Sequence, residues 1–151
     1  MQVDFYQLSR DSAEVALARI AAKALPAGMR LVVVAEDAAL LSRIGAALWA
    51  QDKASFLPNA IAGGEHDSRQ PILLAASLEA VLADGAPVNG ASIVAFADGV
   101  WRDPAGFARA LLLFDEAGVV AAREVWRALG QGGDVQRAFW KQDGGRWVKA
   151  G

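Results

Sequence analysis

Four short apolar runs constrain the fold of this chain more than any other feature: Leu31-Val32-Val33-Val34-Ala35, Ile72-Leu73-Leu74-Ala75, Ile93-Val94-Ala95-Phe96 and Leu111-Leu112-Leu113-Phe114. None alternates with polar residues, so each reads as a strand covered on both faces, as in a parallel sheet. Segments of helical spacing lie between them. Asp11 followed by Glu14 resembles a capping box, and Val15, Ala18, Ala22 and Leu25 form an apolar stripe that ends before Pro26 and Gly28. Asp37 is placed to cap a second helix in which Leu41, Ile44 and Leu48 share a face and Trp49 stands at the end. A third helix, over residues 119–129, turns Ala122, Val125 and Leu129 inward. Val3-Asp4-Phe5-Tyr6-Gln7-Leu8 alternates at period two, as a half-buried strand does, whereas residues 58–70 and 83–90 read as loops.

Strands alternating with helices predict an α/β fold: a single domain over residues 1–151, with a mostly parallel twisted sheet flanked by helices on both faces, Rossmann-like in outline. A chain of 151 residues buries enough surface to need no metal or disulfide for its core. Phosphates in such folds sit at a glycine-rich strand-to-helix turn, and here the first turn, Leu8-Ser9-Arg10-Asp11, has no glycine. P-loop spacing is absent too, so no nucleotide site and no cofactor is expected.

Composition removes other chemistries. With no cysteine and His66 as the single histidine, thiolate zinc sites, iron–sulfur clusters, cysteine nucleophiles and poly-histidine metal sites are excluded. His66 lies beside Asp67 and Ser68 in a loop without a G-x-S-x-G turn, and reads as a solvated histidine; no catalytic residue is assigned. Glu36, Asp37, Asp98, Asp115 and Glu116 follow strands, where a magnesium site could form, although helix starts favour acids for capping alone. A Mg-dependent α/β enzyme is therefore kept as an alternative. Met1-Gln2-Val3-Asp4 has no basic stretch leading into an apolar one, and no run approaches the ~20 apolar residues that span a bilayer. A cytoplasmic protein without membrane contact is expected.

Charge is uneven along the chain: residues 1–118 carry net −5 and residues 119–151 net +3, with Trp126, Trp140 and Trp147 in the basic part. Such a segment suits an anionic partner, whether an acidic peptide or single-stranded nucleic acid bound directly by stacking on indoles; a solvated helix is the plainer explanation. Arg123 and Arg127 stand i, i+4 on the third helix with Trp126 between them, so two guanidinium groups share a face beside an aromatic wall. This arrangement suits a peptide C-terminus, since guanidinium groups bind carboxylates in a fork and the indole would hold an adjacent apolar side chain. A second concentration of bulky residues, Trp49 with Ser55-Phe56-Leu57-Pro58-Asn59, either folds back on the core or docks a partner.

Together these blocks resemble a known family. The opening Val3-Asp4-Phe5-Tyr6-Gln7-Leu8, then Ala47-Leu48-Trp49-Ala50, Ser55-Phe56-Leu57-Pro58-Asn59-Ala60-Ile61-Ala62-Gly63-Gly64, His66-Asp67-Ser68-Arg69-Gln70-Pro71-Ile72-Leu73-Leu74, the Arg123 to Arg127 helix and the ending Phe139-Trp140-Lys141-Gln142-Asp143-Gly144-Gly145-Arg146-Trp147 are similar to the chi subunit of the bacterial DNA polymerase III holoenzyme. The resemblance implies a nucleotide-binding-like α/β fold without a nucleotide site and a non-catalytic accessory role in DNA replication. The implied partners are the psi subunit of the clamp-loader complex and the acidic C-terminal tail of single-stranded-DNA-binding protein, with nucleic acid engaged mainly indirectly through the replisome at the nucleoid. By motif position, Trp49, Phe56, Leu57 and Pro58 would form the psi-facing patch, and Arg123, Trp126 and Arg127 the tail pocket, with Phe114 as a neighbour. The family pattern has a further basic residue about two turns along from Arg123, where this chain has Gly130-Gln131-Gly132-Gly133, and a tyrosine where this chain has Trp126.

Overall fold

The computed structural model describes residues 1–50 and 57–151. Its strands are β1 (Gln2–Gln7), β2 (Leu31–Val34), β3 (Asn59–Ile61), β4 (Ile72–Ala75), β5 (Leu82–Ala83), β6 (Ala86–Pro87), β7 (Ile93–Phe96), β8 (Arg109–Phe114), β9 (Gln136–Asp143) and β10 (Arg146–Lys149). The helices are α1 (Ala13–Ala24), α2 (Ala38–Trp49) and α3 (Val119–Gly130). Eight strands form one sheet in the order β10-β9-β1-β8-β7-β2-β4-β3, and every pair is parallel except the terminal hairpin β9–β10. Continuous apolar strands are what such a sheet needs, because successive side chains feed opposite faces. Leu31 and Val33 face α1 and α2 on one side, while Val32 and Val34 join the layer under α3 on the other. The fold is α/β with helices on both faces, as the alternation predicted.

Several local expectations are corrected. β1 is an interior strand between β8 and β9 and is buried on both faces, not half-buried. The polar position that suggested alternation, Asp4, is 1% exposed. Arg109 Nε donates to it at 2.5 Å, and Trp140 Nε1 and Gln2 Nε2 donate at 3.2 and 3.1 Å. A buried carboxylate is tolerable only when paired and hydrogen-bonded in this way. Asp11 does not cap α1: Ser12 occupies the N-cap position, and the Asp11 carboxylate is taken instead by Arg19 and Gln142 Nε2. The buried face of α1 is Ala13, Ala16, Leu17, Ala21 and Ala24 together with Ala18, which leaves Val15 exposed. Within residues 58–70, β3 adds an edge strand beside β4. Within residues 83–90, Asp84 and Gly85 both take positive φ, the geometry of a tight hairpin turn, and join β5 to β6.

The first strand-to-helix turn is filled from within the chain. The N–H groups of Ser9, Arg10 and Asp11 converge on Gln142 Oε1 at 3.0, 3.0 and 3.1 Å. Converging N–H groups at such a turn are the feature that holds phosphate in nucleotide-binding folds of similar architecture. Here β9 supplies the acceptor, and no glycine is needed because only an amide oxygen approaches.

Candidate functional site

Residues Arg123 and Arg127 project from α3 because Ala122, Val125 and Leu129 seat the opposite side of the helix on the sheet. Trp126 leans between helix and sheet, edge-on to Phe5 (ring centroids 5.2 Å) and to Phe139 of β9 (5.8 Å). Its indole is fixed from another side by Arg137, whose Cζ lies 4.3 Å from the ring centre and whose Nη1 donates to the Trp126 carbonyl at 2.6 Å. Gly130 makes this possible, since a Cβ there would stand 2.6 Å from Arg137 Nη1.

A concavity of about 340 Å³ results, with Arg123 and Arg127 on the helical rim, Trp126 and Phe139 as the wall, and Lys141 opposite on β9. Ala150 and Gly151 close its end. Among the described residues, none of Arg123, Arg127 or Lys141 has an ion-pair partner. Three uncompensated cations around an aromatic wall can hold a carboxylate and an adjoining aromatic or aliphatic group, one by charge-assisted hydrogen bonds and the other by burial.

Three of the four sequence-assigned pocket residues are thus brought together. Phe114 is not among the lining: it is 2% exposed and packs behind Phe139 (5.6 Å), because β8 is interior to the sheet and its last residue is covered. Phe139, Lys141 and Arg137 were not singled out; their signal is the two-residue spacing 137, 139, 141, which puts all three on one face of a strand.

The other assigned patch is divided. Trp49 is 49% exposed at the end of α2 and Pro58 is exposed, while Phe56 lies outside the described residues. Leu57 is buried, not surface-forming: it enters the core under α1 and α2, and its N–H donates to the Leu48 carbonyl at 3.3 Å. Ile61 on edge strand β3 is a further exposed apolar side chain, at 57%.

The strand-end acids are engaged separately. Asp37 caps α2 through Ala39 N–H (2.9 Å), and Asp115 accepts from Gly118 N–H (3.2 Å). Asp98 is gripped by both Nη atoms of Arg102 at 2.9 and 2.8 Å and by the N–H groups of Glu36 and Val100. Burial alone would raise the Asp98 pKa, but the Arg102 fork and the two N–H bonds outweigh it and hold the carboxyl below its ordinary value. Among the described residues no three His, Asp or Glu side chains gather where they could hold a metal ion. His66 is exposed beside Glu65, and Asp67 accepts from the N–H groups of Gly63 and Gly64. The three tail indoles do not make one stacking surface: Trp126 lies between α3 and the sheet, whereas Trp140 and Trp147 pack on Tyr6 on the opposite face. Among the described residues no helix is long and apolar enough to cross a membrane.

Comparison with protein families gives a match to the DNA polymerase III chi subunit, HolC, over residues 1–136 of the 151-residue chain. The match ends where β9 begins, so the strand wall of the pocket lies beyond it. Comparison with curated proteins gives no match.

Proposed function

The chain belongs to the DNA polymerase III chi subunit family, an accessory component of the replicative polymerase, and we propose that it acts there as a non-catalytic adaptor. In this reading the α3–β9 pocket takes the acidic C-terminal tail of single-stranded-DNA-binding protein, and the Trp49 side of the molecule meets psi or an equivalent clamp-loader component. The observation that carries the reading is the set of three cations without ion-pair partners among the described residues, Arg123, Arg127 and Lys141, around the Trp126–Phe139 wall. A terminal carboxylate would lie between the guanidinium groups, its own side chain would pack on the indole, and preceding acidic residues would run toward Lys141. Such binding weakens with salt, because exposed charge pairs are screened within about 10 Å at 0.1 M ionic strength.

A fluorescent acidic peptide ending in phenylalanine with a free carboxylate tests the assignment by anisotropy. Arg127→Glu is expected to lower affinity by at least about tenfold, since it replaces an attraction with a repulsion. Equal binding by that variant, or by a peptide amidated at its C-terminus, would sink the pocket assignment.

A further inference from the structure

The sheet has a second concave surface, on the side opposite α3. On that face α1 packs into the core that contains Tyr6 of β1, and Trp140 of β9 and Trp147 of β10 pack against the same core. The result is a groove of about 700 Å³ between the flank of α1 and the terminal hairpin. Its wall is aromatic: Tyr6 is stacked with Trp140 (6.4 Å, 14° between planes) and edge-on to Trp147 (5.1 Å). Ile20 and Met29 complete an apolar floor. Burial pushes the Tyr6 pKa up, the Asp4 carboxylate adds to this, and Arg109 opposes it.

The rim is basic. Lys23 stands on α1 and Arg146 on β10, across the groove from each other, and among the described residues neither has an acidic partner. Arg19, one turn before Lys23, is compensated by Asp11 at 2.8 Å. Two uncompensated cations flanking an apolar trough complement an anionic chain that carries a bulky apolar group. The rings favour a peptide over nucleic acid, because they are turned toward one another and Trp140 is tied to Asp4 through its N–H, whereas bases need open ring faces to stack on.

We propose that this groove is a second docking site, separate from the α3 pocket, for an acidic peptide segment that inserts one bulky apolar side chain between α1 and the β9–β10 hairpin. The carboxylates of that segment lie on Lys23 and Arg146, and no free C-terminus is required because no fork of guanidinium groups waits for one.

The probe is a short peptide of aspartate and glutamate residues with one leucine and one phenylalanine, acetylated and amidated at its ends, titrated into isotope-labelled protein by NMR up to about 1 mM. Saturable shifts are expected at the Lys23, Gly145 and Arg146 amides and at the indole N–H groups of Trp140 and Trp147. Lys23→Glu combined with Arg146→Glu, both exposed positions, is expected to weaken binding by roughly tenfold or more, while Arg123→Glu combined with Arg127→Glu leaves it unchanged. Oligothymidylate serves as the second arm. Shifts confined to the α3 face, saturable groove shifts with the oligonucleotide and none with the peptide, or no saturable shift at all would each overturn the proposal.

Discussion

At position 130 a side chain of any size would displace Arg137, and Arg137 is what clamps the Trp126 indole from outside the helix. The resemblance implies another basic residue farther along α3; in this chain the glycine that stands near that position admits a cation, Arg137, from β9. Arg123, Trp126 and Arg127 were legible because i, i+4 spacing on a helix fixes a shared face without any tertiary knowledge. Phe114 was not, since whether a strand-end residue lines a pocket or lies beneath one depends on which strand comes next to it. Asp98 supports a prediction at this same scale. Its folded-state pKa is lowered, so its ionised form adds stability at pH values above the unfolded carboxyl pKa of about 3.9, and that contribution disappears as pH falls through the folded value. Asp98→Asn is expected to destabilise the protein at pH 7 by about 1–3 kcal/mol, through loss of the charge-assisted fork from Arg102. Urea unfolding at a series of pH values checks this: the gap between wild type and variant should narrow as the pH drops below about 4. A gap that stays constant down to the acid limit would show that ionisation of Asp98 contributes nothing.

Among the elements, the four apolar runs and three helices were readable because each has a single dominant period or none at all. The terminal hairpin was not. On β9 one face carries Arg137, Phe139 and Lys141 and the other Ala138, Trp140 and Gln142, so each face mixes aromatic with polar residues and no hydrophobic alternation survives. What makes this segment a strand is distant: parallel pairing with β1, stacking of Phe139 on Phe5 and the grip of Gln142 on the turn after β1. β1 was misread for a related reason, since the partner that neutralises Asp4 is Arg109, 105 residues away. Gln142 therefore ties β9 to the β1–α1 turn. Gln142→Ala leaves three N–H groups to water alone and removes one of the two partners of the Asp11 carboxylate, and should cost about 1–2 kcal/mol, a fall in Tm of roughly 2–8 °C for a domain of this size. Differential scanning calorimetry measures it, and an unchanged Tm would mean that water replaces the amide without cost. Hydrogen exchange on the same variant should quicken at Ser9, Arg10 and Asp11 while the β7–β8 amides stay protected, because only the turn loses its acceptor.

The sheet order gives the whole molecule two ends: Ile61 lies on edge strand β3, with α2, which ends at Trp49, packed beside that strand, and the α3 pocket lies over β9 near the other edge. Six strand spacings separate β3 from β9, or about 30 Å at roughly 4.8 Å each. This exceeds the Debye length of about 8 Å at physiological ionic strength, and the interior strands between the two ends are packed on both faces, so a charge placed at one end is not felt at the other. The proposed adaptor role needs this geometry, since it would hold two partners at once without either displacing the other. The two surfaces should consequently behave as independent sites. Trp49→Glu is expected to abolish capture of the clamp-loader partner while leaving affinity for the acidic tail peptide within about twofold of wild type; Arg127→Glu should do the reverse. Titration calorimetry of the tail peptide, performed on the free protein and again on its complex with purified psi, measures the coupling directly. Independence predicts the same Kd in both titrations, and a shift of tenfold or more, about 1.4 kcal/mol, would mean that the sheet transmits a change between its edges and that the protein is a switch and not a passive link.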